Sequence, residues 1–491
     1  MKVKMILPAL TEAVSPFFRA LKYSLFPPLG LATLAGYLAD DDDVEIVNEH
    51  VETVRTDDAP DLVVMTVYIS AARRAYKLAG AYRARGAHVC MGGLHVTACP
   101  DEAARHADTI FLGPGEDTWP EFLADFRAGR AAGVYRSRVR TLAGAPPPRR
   151  DLFNRHQYLV PNTIVVSRGC PHKCDFCYNS GFYTGGRSFY TKAVDAALAE
   201  IDSLPGRHLY FLDDHLFGDE RFAAALFDGM RGMGRLWQAA GTVRSVLRPG
   251  LLERAARGGL RSLFVGFETI DPAALAGLNK RHNEAGTYEA AIRRLHEHGV
   301  MVNGSFVFGL DGDDEGVFER TVDWAVAQGV ETGTFHILTP YPGTRLHERF
   351  AADGRITSRN WDLYDARHVV FRPARMSAET LEAGHRRAYR DFYRWDNVLK
   401  SARAEPALAD RIRHMMYVGG WRKLEPMWNV LIKLGLLGRM MPLLESLLAG
   451  FGRYKGEHAA KPALLPASPS WDDAAWARHN AGQAAGGKWA I

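Results

Sequence analysis

Short runs of consecutive apolar residues recur along the chain, and each is followed by a stretch with apolar positions three and four residues apart. Continuous apolar runs mark strands buried on both faces, and the second spacing marks amphipathic helices. In the first 145 residues, segments 3–7, 44–47, 61–66, 88–91 and 109–112 predict strands, and 29–38, 71–83 and 118–126 predict helices. Such alternation predicts an α/β fold with a doubly wound parallel sheet, whose ligands bind beyond the carboxyl ends of the strands. A second series starts at 163–167 and continues with strands at 209–212, 238–243, 262–267, 302–308 and 334–338. Helical stretches at 192–203, 222–230, 249–257, 287–297 and 315–328 separate them. Six βα units predict an open (β/α)6 barrel of the TIM type, with chemistry at the carboxyl ends of its strands. Residues 376–402 read as helical, with aromatic side chains at Tyr389, Phe392, Tyr393 and Trp395, and 410–452 are rich in Leu, Met and Trp.

These patterns divide the chain into a first domain at 1–145, a linker at 146–160, a barrel at 161–375, a helical C-terminal cap at 376–455 and a disordered tail at 456–491. The proline triplet in Ala145-Pro-Pro-Pro-Arg-Arg150 predicts a stiff, extended connection. The tail is rich in Ala, Pro, Gly and Ser.

Composition narrows the partners more than the fold. The 491 residues carry 61 Lys and Arg against 56 Asp and Glu, a net charge of +5. That is too mild for this length to argue for nucleic acid. The opening residues read as a strand rather than a signal peptide, and no run reaches about 18 apolar residues, so a cytoplasmic protein without a membrane span is expected. Over 397–455, ten Lys or Arg face four Asp or Glu. This stretch reads either as a cap packed on the barrel or as a basic amphipathic surface touching a membrane, and a lipid substrate would suit both.

Three of the five cysteines fall within eight residues, in Arg168-Gly-Cys-Pro-His-Lys-Cys-Asp-Phe-Cys-Tyr178. Closely spaced thiolates are soft ligands for an iron–sulfur cluster or for zinc. Zinc usually takes four protein ligands, and His172, inside the first spacer, is poorly placed as a fourth. Three cysteines on a four-iron cluster leave one iron open to a small molecule. Other candidates follow predicted strands. Thr66 to Ser70, Gly92-Gly-Leu-His-Val-Thr97 and Gly113-Pro-Gly-Glu-Asp117 end strands of the first domain; Asp213-Asp214, Arg244, Gly266-Phe-Glu268-Thr269 and Ser305 to Asp311 end strands of the second. Each also has a plain reading: turn glycines, a helix-capping aspartate pair, a surface arginine, a loop histidine.

The C-x3-C-x2-C spacing, with the strand-end residues in this order, resembles the radical S-adenosylmethionine (SAM) enzymes. The Gly-Gly-Leu-His-Val-Thr and Gly-Pro-Gly-Glu loops resemble those of the subgroup with a Rossmann-like cobalamin-binding domain ahead of the barrel. That is the class B radical SAM methyltransferase layout, shared with hopanoid C-2 methylases and the anaerobic magnesium-protoporphyrin cyclase. The resemblance implies a 4Fe-4S cluster on Cys170, Cys174 and Cys177, and SAM held near Phe176, Tyr178, Asp213, Asp214, Arg244, Glu268 and Ser305. It implies cobalamin held near Thr66, Ser70, Gly92, Gly93, His95, Val96, Gly113, Gly115 and Glu116. The Asp-x-His-x-x-Gly motif of other cobalamin proteins is absent, which leaves the lower ligand of cobalt open. The implied activity is methylation of an unactivated carbon of a hydrophobic, lipid-like substrate through a 5′-deoxyadenosyl radical and methylcobalamin. An electron donor such as flavodoxin or ferredoxin is implied with it. Cyclisation, oxidation or carbon–carbon coupling, with or without cobalamin, is the alternative outcome, and a non-catalytic cluster or cobalamin sensor is the alternative class.

Overall fold

The structure, a computed structural model, describes residues 1–10, 25–280, 283–404 and 408–423, together with 427 and 430. Six parallel strands form the first sheet: β1 (Lys2–Leu7), β2 (Asp43–Asn48), β3 (Leu62–Thr66), β4 (His88–Gly92), β5 (Thr109–Leu112) and β6 (Val134–Arg136), in the order β2-β1-β3-β4-β5-β6. Alternate residues of its central strands enter opposite cores. Val63, Met65, Val89 and Met91 pack under the helix Ala72–Arg83, while Leu62, Val64 and Cys90 pack with Leu31, Trp119 and Phe122 on the other side. This two-sided burial explains why these strands read as unbroken apolar runs. The chain winds outward from β1 in both directions, so the carboxyl ends of β1 and β3 flank the topological switch point.

Residues 146–160 are not a loose spacer. Phe153 and Tyr158 are buried in the first domain's core, and Asn48 Nδ2 donates to the Tyr158 hydroxyl at 3.2 Å. The chain therefore enters the second domain anchored to the first.

The second sheet contains β7 (Thr163–Ile164), β10 (His208–Phe211), β11 (Leu236–Gly241), β12 (Leu260–Glu268), β13 (Met301–Phe308) and β14 (Thr332–Ile337), all parallel and in sequence order. A small antiparallel pair, β8 (Ser167–Gly169) with β9 (Phe189–Thr191), intervenes after β7. The expected strand at 163–167 is thus split, because Asp213 takes the Val166 and Ser167 amides out of the ladder. Six strands in order make the open barrel expected from the periodicity.

The open barrel leaves β14 with an unpaired edge, which must be covered. The helix Ala378–Phe392 covers it. The Phe335 amide donates to the Tyr389 hydroxyl at 3.1 Å, and the Gly333 amide donates to the Tyr393 hydroxyl at 3.2 Å. Helices Trp395–Arg403 and Leu408–Lys423 follow. The basic stretch beyond 430 and the tail at 456–491 lie outside the described residues. Among the described residues no helix is long and apolar enough to cross a membrane.

Candidate functional site

The cysteine loop hangs from the end of β8 and is fastened on three sides. The Cys170 amide donates to the Ser188 carbonyl at 3.0 Å, the Asp175 amide to Leu278 at 3.1 Å, and the Leu346 amide to Asp175 at 3.0 Å. Asn279 Nδ2 adds a bond to the Lys173 carbonyl at 3.0 Å. All three thiols are free. Burial pushes Cys170 up to about 11 and Cys177 up to about 12, and Cys174 also rises. Cys170 also feels Cys174, and Cys177 feels both others, so the three thiols share one neighbourhood. Among the described residues no group of His, Cys, Asp or Glu is gathered tightly enough to hold a single metal ion. A cluster differs from a single ion: its cysteines bind separate corners of a cube, so they stand further apart. Three free, soft donors within eight residues on a braced loop fit such a cluster.

The strand ends around this loop carry most of the predicted SAM-side residues. Asp213 is buried and accepts bonds from the Val166 amide at 3.1 Å and from the Ser167 amide and hydroxyl at 2.5 Å each. Burial pushes its carboxyl up to about 7 against the pull of those donors. Asp213 therefore braces the entry to the loop. Asp214 is more open, accepting from the Gly169 amide at 3.1 Å and the Tyr178 hydroxyl at 2.8 Å. Glu268 ends β12 with a φ of 64° and pairs with the buried Lys280. Ser305 is buried in β13, level with Gly266 and Thr334 of the flanking strands. Phe176 packs on the barrel core, and Arg244 is exposed, near enough to press on His172.

The facing surface, at the carboxyl ends of the first sheet, has few side chains. Gly92 ends β4 and Gly93 follows it, and Gly113 and Gly115 follow β5. Gly93 has a φ of 105°, and a Cβ there would stand 3.0 Å from both the amide nitrogen and the carbonyl oxygen of Val67. Only glycine lets these two loops approach so closely. Thr66 and Ser70 flank the shelf, half-buried, and Val96 is wholly buried in the core beneath it. A bare backbone shelf at the carboxyl ends of a parallel sheet, beside the switch point, fits a broad, flat ligand.

Two placements differ from what residue type suggests. His95 is completely buried, with Nε2 2.8 Å from the Tyr76 hydroxyl and 3.3 Å from Glu102. Its ring is enclosed in the domain wall rather than standing on the shelf. Glu116 is engaged by Arg168, whose Nε donates at 2.8 Å. Burial pulls the guanidinium down, but Glu116 and the nearby Tyr183 and Tyr190 outweigh that and keep it charged.

These contacts bring the two surfaces together. Arg168 lies two residues before Cys170, so the Arg168–Glu116 pair ties the cysteine loop to the shelf directly. Arg140, beyond β6, donates to the Tyr183 and Thr184 carbonyls at 2.7 and 2.6 Å. Trp361 Nε1 donates to Glu102 at 3.0 Å, across the side where His95 sits. Tyr68, just past β3, is 49% exposed, yet its hydroxyl is raised by removal from bulk water and feels Arg168 and Asp214. A ring open to a walled cleft has both properties. Sequence reasoning assigned no role to Arg168, Arg140, Trp361 or Tyr68. Arg168, beside the cysteines, and Tyr68, inside the Thr66–Ser70 strand-end loop, carried a signal by position; Arg140 and Trp361 carried none.

Comparison with known proteins agrees with this geometry. Residues 164–325 match the Radical SAM superfamily, and residues 20–123 match the B12 binding domain. Bacteriochlorophyllide d C-12(1)-methyltransferase of Chlorobaculum tepidum is 29% identical over 77% of this chain and 85% of its own length. Hopanoid C-2 methylase of Rhodopseudomonas palustris is 27% identical over 68% of this chain and 66% of its own. The solved structure of the radical SAM methyltransferase TsrM from Kitasatospora setae, with cobalamin and a 4Fe-4S cluster bound, aligns with a TM-score of 0.61. It covers 90% of this chain and 99% of that one at 14% identity, a likeness of fold. The chain belongs to the radical SAM enzymes that carry a cobalamin-binding domain, and its cofactors are a 4Fe-4S cluster, SAM and cobalamin.

Proposed function

We propose that this enzyme methylates an unactivated carbon of a large hydrophobic ring molecule. The observation that carries the reading is the Arg168–Glu116 pair, which ties the cysteine loop to the glycine shelf. When bound, the cluster and SAM supply a radical that removes hydrogen from carbon, and the corrinoid supplies the methyl group.

The chain's own residues bind and orient. Cys170, Cys174 and Cys177 would hold the cluster, which would bind SAM. Asp214, fixed by Gly169 and Tyr178, receives the ammonium group of SAM, with Asp213 bracing the loop behind it. Glu268 receives the ribose hydroxyls, Phe176 and Ser305 lie toward the adenine, and Arg244 meets a carboxylate. Thr66, Ser70, Gly92, Gly93, Gly113 and Gly115 seat the corrin, with Val96 and His95 supporting the shelf from within and Glu116 beside it. Tyr68 and Tyr178, both exposed to the cleft, offer apolar ring faces to a flat substrate and help exclude water.

Two observations support the substrate class. The relatives named above act on bacteriochlorophyllide and on hopanoids. The C-terminal helix also exposes Leu408, Ile412 and Met416, spaced four residues apart, a face suited to peripheral contact with a membrane holding such a substrate. A ferredoxin or flavodoxin would supply the electrons.

The test is anaerobic incubation of the reduced enzyme with SAM deuterated on its methyl group and with pigment and lipid extracts. Mass spectrometry should find 5′-deoxyadenosine and a product that carries the label. A product formed without label would move the reading to cyclisation or oxidation; absence of 5′-deoxyadenosine would overturn it.

A further inference from the structure

The ion pair at the end of β12 is built more elaborately than the holding of a ribose requires. Lys280 is only 5% exposed, and buried lysines are rare unless paired. Its Nζ bonds the Glu268 carboxylate and donates to the Gly266 carbonyl at 2.8 Å. A Cβ on Gly266 would stand 2.5 Å from Glu268 Oε1 and 2.9 Å from Lys280 Nζ, so the pair lies flat on a glycine. The register against β13 shifts between Gly266 and Glu268, and the bend leaves Glu268 at positive φ. A non-glycine residue rarely adopts that conformation, so the surroundings must enforce it. Asn283 Nδ2 bonds the same Gly266 carbonyl at 2.8 Å, and the Tyr288 hydroxyl donates to Phe267 at 2.8 Å.

The segment bearing Lys280 is also stitched to the cysteine loop. Leu278 accepts from the Asp175 amide, and Asn279 bonds Lys173 and Asp175. The ammonium charge reaches Cys170 and Cys174, where it opposes the effect of burial on both thiols. Glu268 acts on Cys174 in the opposite sense. Both charges are thus felt at Cys174, and the lysine alone is felt at Cys170, from a segment bonded to the cysteine loop.

We propose that Lys280 is a positioning residue that locks the Glu268 carboxylate at the strand end and sets a fixed positive charge beside Cys170 and Cys174, so that the cluster held there accepts an electron more readily. The proposal rests on these cysteines holding the cluster. Reduction adds one electron from an external one-electron donor and makes the cluster more negative. A buried cation favours that state through a low-dielectric path, and a buried carboxylate opposes it.

The test is an anaerobic redox titration, followed by electron paramagnetic resonance, of the full chain reconstituted with iron and sulfide and without SAM. K280M should lower the midpoint potential by about 59 mV, the equivalent of tenfold in the equilibrium of a one-electron couple. E268Q should raise it, and K280R should restore the wild-type value. Because a lone buried charge can prevent folding, the K280M/E268Q double variant serves as the control. It should keep its iron and lie between the two single variants. Shifts of the same sign in both single variants, or none in iron-loaded variants, would overturn this proposal alone. Wild-type protein without a reducible cluster would overturn the function reading as well.

Discussion

The two surfaces that meet in the cleft are built on different principles. The barrel side is made of side chains: three thiols, Asp214, the Glu268–Lys280 pair, and Tyr178. The shelf of the first sheet is made of backbone, kept bare by Gly92, Gly93, Gly113 and Gly115. A metal cluster demands particular donor atoms, so its site is written in residue identity. A broad planar ligand demands room and close-packed loops, so its site is written in residue size and in φ. The two surfaces should therefore fail in different ways when disturbed.

The largest effect belongs to the barrel side. C174A should abolish both 5′-deoxyadenosine formation and stable iron binding, while corrinoid absorbance after loading persists. Colorimetric iron analysis and absorption spectra check both halves of that statement. The converse is G93V, which forces a branched side chain to a φ of 105° against the Val67 backbone. It should cost about 1–3 kcal/mol at the shelf, reducing corrinoid retention by roughly tenfold or more while iron content stays at the wild-type level. Equal loss of both cofactors would mean that the two surfaces are not separable.

Breaking the tie between them gives a third pattern. R168M leaves the Glu116 carboxylate, 8% exposed, without its partner. A loss of about 2 kcal/mol in denaturant unfolding is expected, with a slower rate in enzyme that still holds both cofactors. The R168M/E116Q pair should regain most of the stability but little of the rate.

The smallest effect is at Glu102. Burial acts to raise this carboxyl, but bonds from Trp361 and Tyr76 and the nearby His95 outweigh it and hold it below the ordinary range. The folded protein thus binds this proton less readily than the unfolded chain. The stabilisation is present above the ordinary carboxylate range and is lost as pH falls through it. E102Q should be less stable than wild type near neutrality by less than about 1 kcal/mol, because the group is partly open to water. That gap should close on acidification, as denaturant unfolding at a series of pH values would show. A gap independent of pH would contradict the assignment.

The same contrast governs what could be read in the sequence. Strands such as Leu62–Thr66 and Met301–Phe308 were legible because both faces are buried, which leaves an apolar run. The cysteine loop was legible because chelation fixes both residue type and spacing. Val134–Arg136 was missed: three edge residues with only Tyr135 buried carry no periodicity. The β8–β9 pair was missed because it exists only where Asp213 captures the amides of Val166 and Ser167, a contact across 46 positions of sequence. His95 read as a ligand or, more readily, as a loop residue; the fold places it in the short helix Leu94–Ala98, with Tyr76, Glu102 and Trp361 around its ring. Arg168 owes its partner to a loop of the other domain, and Lys280 folds back onto the end of the preceding strand, so neither pairing shows in the hydrophobic pattern.

The central claim is that the cysteine loop and the glycine shelf form one reaction chamber. The most direct measurement is electron paramagnetic resonance of enzyme carrying both the reduced cluster and cobalt(II) corrinoid. Dipolar coupling between the two spins, weakened in R168M, is the predicted result. Two independent, uncoupled signals from fully loaded wild-type enzyme would contradict it.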